Sequence, residues 1–335
     1  MKEITQMILG IAFLLLLLLI IMVFFTIIRT YLVNKNRKNI KQYINTHLDE
    51  WFDHLYYGYK PPQTRRPSRM QQHAIEKIFS NFLSNGKTRD AESRISFYVR
   101  VYFSHDYRNK LNSPFWAYRI NTLHKIAEFK VPGFTNIYSE RKISAMSNFE
   151  FFLYLIYLSI YDFNKFKNNF LYDRRLSEYE NKKVLSRLSD ASVLSLLPSF
   201  EDMSHTTRYA FLSRVAGVGK NQPIKWLESL FQDEDQETRI RALKSIYSIG
   251  LVNDPDKYIQ FFTSEIWEER MLVCRLAPYI GETAVLLLED CSHDKNQQVE
   301  KEALNSLKYF EFYERKLSTE LRNRQSDFRK VSKNQ

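Results

Sequence analysis

Residues 237–250 read ETRIRALKSIYSIG, and the chain nearly repeats itself 31 residues earlier, TTRYAFLSRVAGVG at 206–219, and 31 residues later, EERMLVCRLAPYIG at 268–281. Arg208, Arg239 and Arg270 fall in register, as do Gly219, Gly250 and Gly281. A fixed period of this length marks a repeat architecture, in which each unit buries its apolar face against its neighbour. Within the copies Leu212, Leu243 and Cys274 align, then Val215, Ile246 and Ala277, then Val218, Ile249 and Ile280. Steps of three residues keep these sets on one helical face. A fourth copy, VEKEALNSLKYF at 299–310, joins when its spacing shortens to 30, which aligns Leu304, Leu307 and Phe310.

A second helix follows each first one, at PIKWLESLF (223–231), PDKYIQFF (255–262) and ETAVLLLE (282–289). The glycines are expected to end the first helices, because glycine accepts a left-handed backbone without penalty. The acidic and polar turns DEDQ (233–236) and HDKNQ (293–297) suit the positive N-terminus of the helix that comes next. The fourth copy has Glu300 where the others have arginine and lacks the glycine, as expected of a capping unit.

The spacing D-x-x-x-x-x-R-x-x-A-L-x-x-I, Asp233 through Ile246, resembles a HEAT repeat of the short bacterial kind. The resemblance covers about 206–310 and implies an α-solenoid that works by binding another protein. In such proteins a recurrent arginine often pairs with an acid of the neighbouring repeat, here Asp235, Glu237 or Glu269. The other expectation is that Arg208, Arg239 and Arg270 form a binding row for an acidic partner. Residues 35–205 are expected to be helical, with diverged repeats; WAYRINTLHKIAEFKVPG at 116–133 is the stretch that suggests them.

Residues 7–28, MILGIAFLLLLLLIIMVFFTII, carry no charge. Twenty-two residues at a rise of about 1.5 Å cover about 33 Å, enough for a hydrocarbon core of about 30 Å. The run is longer than the apolar part of a signal peptide and is followed by Arg29-Thr30-Tyr31-Leu32 rather than a small-residue cleavage site, so an uncleaved anchor is expected. Lys2, offset by Glu3, precedes it, whereas Arg29, Lys35, Arg37, Lys38 and Lys41 follow it. The positive-inside rule then places the N-terminus outside and the remainder in the cytoplasm, on a single-pass inner or plasma membrane protein.

The expected organisation is all-α: a membrane anchor at 1–34, a helical domain at 35–205, HEAT-like repeats at 206–313 and a basic tail at 314–335. Helices are expected at 35–59, 70–85, 91–111, 114–130, 148–171, 177–189 and 191–197, with KPPQTRRPS (60–68) as a linker. Only 8 glycines and 9 prolines in 335 residues agree with a helical chain.

A formal net charge of +11 points to something anionic. Arg29, Lys35, Arg37, Lys38 and Lys41 beside the span, with Lys60, Arg65, Arg66 and Arg69 in and after the linker, are the candidates for anionic lipid. A second basic group, Arg315, Lys316, Arg322, Arg324, Arg329, Lys330 and Lys333, lies in the tail. Nucleic acid is the weaker candidate, since no recognised binding module is present and the tether argues against it.

No catalytic motif survives inspection, and no cofactor is expected. GVGK (217–220) lacks the first glycine and the hydroxyl residue of a phosphate loop. His105-Asp106, with His73 and Asp162, is a remote candidate for a metal-dependent phosphohydrolase site. Cys274 and Cys291 stand in apolar helical surroundings, as small core residues do. The function expected is therefore a membrane-tethered scaffold. Resemblance to envelope-associated repeat proteins implies an accessory role beside an exopolysaccharide or envelope-glycan glycosyltransferase. A signalling adaptor that docks a cytoplasmic regulator is the alternative.

Overall fold

Residues Lys2–Tyr57 form one uninterrupted helix, α1. Between Gly10 and Gly58 the chain contains neither glycine nor proline, so nothing breaks the hydrogen-bond ladder. The expected boundary at 34/35 falls inside this helix, with no break in the backbone. Gly58 ends it in a positive-φ conformation (φ 80°), and the Arg94 guanidinium donates to the Leu55 carbonyl at 2.7 Å. From Phe13 to Asn39 every side chain is exposed; Ile40 is the first to be buried.

The computed structural model describes residues 2–86, 88–172, 175–219 and 223–312, and side chains of residues 1–9, 11 and 12 are outside the description. Among the described residues there is no strand. The basic tail at 314–335 and Lys220 of GVGK lie outside the described residues. Internal contacts divide the chain into two units, Met1–Tyr157 and Leu158–Gln335.

In the first unit α1 is followed by α2 (Arg69–Asn85), α3 (Arg89–Tyr102), α4 (Ser104–Leu111), α5 (Trp116–Glu128), α6 (Glu140–Ser144) and α7 (Asn148–Tyr161), the last turn of which falls past the boundary. Ser68 begins α2 with a capping box, taking the Gln71 amide while the Gln71 side chain takes the Ser68 amide. The single helix expected over 91–111 is broken at the buried Phe103, which closes α3 and opens α4. The core forms around Trp51, fully buried, with the rings of Phe79 and Tyr98 edge-on at 5.1 and 4.9 Å.

The helix α2 runs beside α1 in the same direction. Trp51 meets Phe79, Phe52 meets Phe82, and the Tyr56 hydroxyl donates to the Gly86 carbonyl at 2.9 Å. Residues 58–68 therefore run back along α1, with the Gln63 carbonyl held by the Tyr98 hydroxyl at 2.9 Å. Eleven residues of near-extended chain, about 36 Å, suffice for that return.

In the second unit come α8 (Phe163–Leu171), α9 (Glu178–Leu185), α10 (Asp190–Leu194), α11 (His205–Val215), α12 (Ile224–Ser229), α13 (Gln236–Ile249), α14 (Trp267–Ile280) and α15 (Val285–Cys291), with a last helix over 297–312. The helix expected over 148–171 is split because the Asp162 carboxylate caps α8 by accepting from the Lys165 amide at 2.9 Å. The second helix of the middle copy is a 3-10 helix, Pro255–Thr263. The contact boundary falls at 157/158 instead of 205/206, since α9 packs on α11 and Glu178 pairs with Arg241 of α13 at 2.7 Å.

Successive first helices are neighbours, α11 beside α13 and α13 beside α14. Ser245 Oγ donates to the Leu212 carbonyl at 3.0 Å, and Ser306 Oγ to the Cys274 carbonyl at 2.7 Å. Each bond ties a first helix to the one before it. Ser306 stands in the place of Ser245 only when the last spacing is shortened to 30, which fits the register read from sequence. Leu212, Leu243 and Cys274 are buried, whereas Leu304 is 41% exposed, because no further copy covers it among the described residues. Gly250 ends α13 in the left-handed conformation (φ 71°, ψ 34°) as expected. Gly281 differs, with φ 101° and ψ −166°, and Gly219 lies beyond the end of α11 without a positive φ.

Candidate functional site

The recurrent arginines turn inward to their own chain. Arg239 Nε donates to Glu269 Oε1 at 2.8 Å, and its Nη1 donates to the Asp233 and Glu234 carbonyls at 2.8 and 3.3 Å. Arg270 holds Asp294 by two bonds of 2.7 and 3.0 Å and the Ser264 carbonyl at 2.6 Å. Each side chain thus closes the turn before its own helix and reaches an acid of the next repeat. The pairing with Asp294 raises the Arg270 pKa, and in turn the Arg270 hydrogen bonds hold the Asp294 carboxyl below the usual range. Arg208 differs: its carboxylate partner, Glu201 at 2.6 Å, precedes it and is 72% exposed, and its Cζ lies 5.1 Å above the Phe200 ring.

Of the acids named from sequence, Glu269 takes Arg239. Asp235 instead caps α13 through the Thr238 amide and accepts from the Tyr209 hydroxyl, while Glu237 pairs with Arg241 at 2.6 Å. Glu201 and Asp294 were missed because neither stands one period from its arginine. As a surface for an acidic partner, Arg239 and Arg270 would each have to surrender an internal acid.

The same arrangement occurs in the first unit. Arg119 Nη1 donates to the Ser113 and Pro114 carbonyls, both at 3.0 Å, six and five residues back as in Arg239. Its Nε and Nη2 hold Glu150, 31 residues on, at 2.6 and 2.9 Å. Glu150 is the third residue of α7, as Glu269 is of α14, and both are at most 3% exposed. The signal was present in the stretch 116–133, but Arg119 shares no continuous period with the later arginines.

The candidate lipid residues behave differently. Arg29, Lys35, Arg37, Lys38, Lys41, Lys60, Arg65, Arg66 and Arg69 are all exposed and make no ion pair with a described acid. The return of 58–68 places Arg69 beside Asn36, where both line one cavity. Lys60 is separated from this group. It follows the far end of α1, where the His54 ring meets the Tyr59 carbonyl at 2.6 Å.

Three exposed tyrosines stand late in the described parts of consecutive first helices: Tyr247 of α13, Tyr279 of α14 and Tyr309 of the helix over 297–312, at 43, 46 and 49% exposure. Tyr279 and Tyr309 share one repeat position, and Tyr247 stands one residue earlier in its own copy. The Tyr279 hydroxyl lies over Gly250, 3.4 Å from where a Cβ would stand. No motif marked these residues in the sequence.

His105 is exposed and contacts Asn109, while Asp106 is held by Gln72 at 2.9 Å and Lys110 at 2.6 Å. His73 and Asp106 line the same cavity, and Asp162 is occupied in capping α8. Among the described residues no group of three His, Cys, Asp or Glu side chains could hold a metal ion.

No family model matches the chain, and no curated protein matches it. Among solved structures, an engineered protein from a structural genomics consortium is 13% identical, with a TM-score of 0.32, covering 70% of this chain and 95% of its own. A designed armadillo repeat protein is 15% identical, with a TM-score of 0.23, covering 73% of this chain and 95% of its own. At such TM-scores neither likeness carries an argument about this chain.

Proposed function

We propose that this protein is a membrane-anchored, non-enzymatic scaffold whose HEAT-like solenoid binds another protein at the cytoplasmic face. The anchor reading is supported by an exposed apolar surface that runs unbroken from Phe13 to Ile28 on one helix, with side chains 43–70% exposed where large. In water such a surface would be costly; in a bilayer it is the solvated state. The cluster of basic residues after Ile28 supports the inward orientation.

The observation that carries the binding reading is the tyrosine edge. Tyrosine is favoured in interfaces because a rigid ring contributes contact area at low entropic cost. Here three rings are presented at neighbouring repeats that the arginine ladder and the serine bonds hold in register. The matching geometry of Arg119 and Arg239 supports diverged repeats in the first unit as well. A membrane enzyme is the partner class favoured by the tether, and an exopolysaccharide or envelope-glycan glycosyltransferase is the example implied by the resemblance.

A photo-crosslinking residue at position 251, which is exposed and follows the Gly250 that the Tyr279 ring covers, tests this in the full chain expressed in intact cells. The expected result is one dominant membrane enzyme, lost in the Tyr247→Ala/Tyr279→Ala/Tyr309→Ala variant while its helical content and Tm persist. A soluble regulator in its place would favour the signalling adaptor. Equal capture of many proteins, unchanged in the triple variant, would overturn the tyrosine edge as a binding surface.

A further inference from the structure

We infer that one end of the first unit is an interfacial foot that rests in the headgroup layer of the membrane its own helix crosses. The inference builds on the anchor reading above and concerns a surface that reading does not use.

Three helices place their ends together. Because α2 parallels α1, Arg69 at its start lies beside Asn36. The far end of α5 packs on the later half of α2, with Phe129 near Phe79 at 6.1 Å and Lys125 Nζ on Ser80 Oγ at 2.7 Å. Near its start Tyr118 lines the cavity that Asn36 and Arg69 share, so α5 runs the same way as α2 and begins at the Asn36 end. The start of α7 joins them, since Trp116 Nε1 donates to Ser147 Oγ at 3.0 Å and Arg119 holds Glu150.

This end exposes four aromatic rings: Phe115 at 66%, Trp116 at 52%, Tyr118 at 53% and Phe149 at 47%. The exposed apolar run Tyr31-Leu32-Val33 extends the span past Ile28, and Asn36 stands three residues beyond it, about 4.5 Å along the helix, against about 12 Å counted from Ile28. The headgroup layer of a bilayer extends about 5–8 Å beyond the hydrocarbon core on each side. Trp116 and Tyr118, apolar on their faces and polar at one edge, are of the kind that concentrates in that layer, and Phe115 and Phe149 add apolar area beside them.

Charge agrees with position. Lys35, Arg37, Lys38 and Arg69 at this end pair with no described acid. The nearby acids are engaged: Asp106 with Lys110, Glu150 with Arg119, and Glu76 with the Tyr107 hydroxyl and Gln72, both at 3.0 Å. The cavity that Glu76 and Asp106 line with Arg69, His73 and Lys110 has a volume of about 570 Å³, and these two carboxylates in its wall are already engaged, which leaves Arg69 as its charge unpaired among the described residues. An anionic phospholipid surface satisfies both the free cations and the exposed rings.

The test uses the full chain in nanodiscs of phosphatidylcholine and phosphatidylglycerol carrying brominated acyl chains, which quench nearby tryptophan. Bromines close to the headgroups are expected to quench a component of the emission that disappears in Trp116→Phe. Replacing phosphatidylglycerol by phosphatidylcholine is expected to weaken that quenching, as is Lys38→Glu/Arg69→Glu. Phe24→Trp in the Trp116→Phe background reports the span separately through deep bromines. Quenching at position 24 without any at Trp116 would leave the anchor intact and overturn the foot. No quenching at position 24 would overturn the anchor and the foot with it. Quenching of Trp116 that ignores phosphatidylglycerol would overturn the anionic surface as its ligand.

Discussion

Arg119 and Glu150, 31 residues apart, reproduce the bond that joins Arg239 to Glu269, down to the two backbone carbonyls each arginine takes behind it. Both carboxylates are buried, so the arginine is what makes their burial tolerable. Removing it leaves a desolvated charge without a counterion. Arg119→Ala and Arg239→Ala are each expected to cost about 3–5 kcal/mol. Arg208→Ala, whose partner Glu201 is solvated, is expected to cost nearer 1 kcal/mol from the pair itself. Urea unfolding of the detergent-solubilised chain measures all three. Equal losses at 208 and 119 would contradict the burial argument, and Arg119→Met/Glu150→Met should recover much of the single-variant loss.

The two glycines at helix ends make different demands. Gly250 occupies the left-handed region that asparagine also tolerates, whereas Gly281 (φ 101°, ψ −166°) occupies a region open essentially to glycine alone. Gly250→Asn is therefore expected to be nearly neutral and Gly281→Asn to cost about 1–3 kcal/mol. Gly250→Ala falls between them at about 1–2 kcal/mol. Thermal unfolding midpoints should rank in that order; a reversed order would mean that contact with Tyr279, not the backbone, governs position 250.

Glu228 is buried with no cation paired to it among the described residues. It accepts from the Asn253 and Asp254 amides at 2.9 and 3.1 Å, from Asn253 Nδ2 at 3.1 Å and from the Tyr258 hydroxyl at 2.9 Å. Burial and the facing carboxylate push the Tyr258 pKa well up, so the hydroxyl stays a donor. The carboxylate thereby pins the 251–254 loop onto α12. Glu228→Ala is expected to strand several donors at a cost of about 3 kcal/mol, and Tyr258→Phe to cost about 1 kcal/mol. Amide exchange at Asn253 and Asp254 should accelerate in the first variant and much less in the second.

Glu128 supplies a pH dependence. Burial by itself raises its pKa, but hydrogen bonds from His124, Ser80 and Lys125 outweigh that and bring it down to about 2. A depressed carboxyl stabilises the fold above its unfolded pKa of about 4.3, and that stability is lost as pH falls toward 2. Because the side chain keeps some contact with solvent, the contribution is about 1–2 kcal/mol after screening. The slope of stability against pH between 5 and 2 should flatten in Glu128→Gln. An unchanged slope would assign it to other carboxylates.

Much of the second unit was legible in advance. The register of Leu212, Leu243 and Cys274 and the left-handed Gly250 follow from short-range periodicity and backbone chemistry, which a sequence displays directly. The breaks at Phe103 and Asp162 were not foreseen, because one capping carboxylate or one buried ring interrupts an otherwise helical pattern. The tyrosine edge was invisible for a different reason: exposure is a property of the neighbours, and Tyr309 reads the same whether covered or bare.

The sequence by itself determined that the chain is helical, that it repeats near every 31 residues toward its C-terminus and that one apolar run is long enough to cross a bilayer, since these are matters of period and length. Only the tertiary structure decided which acid each arginine takes, that α1 continues without a joint into the first unit, and that Arg69 and Tyr118 line one cavity with Asn36. Those outcomes depend on the direction in which helices pack. That direction shows in pairs of contacts, Trp51 with Phe79 and Tyr56 with Gly86, then Phe79 with Phe129 and Tyr118 with the Asn36 cavity, between residues too far apart in the chain for any local pattern to announce.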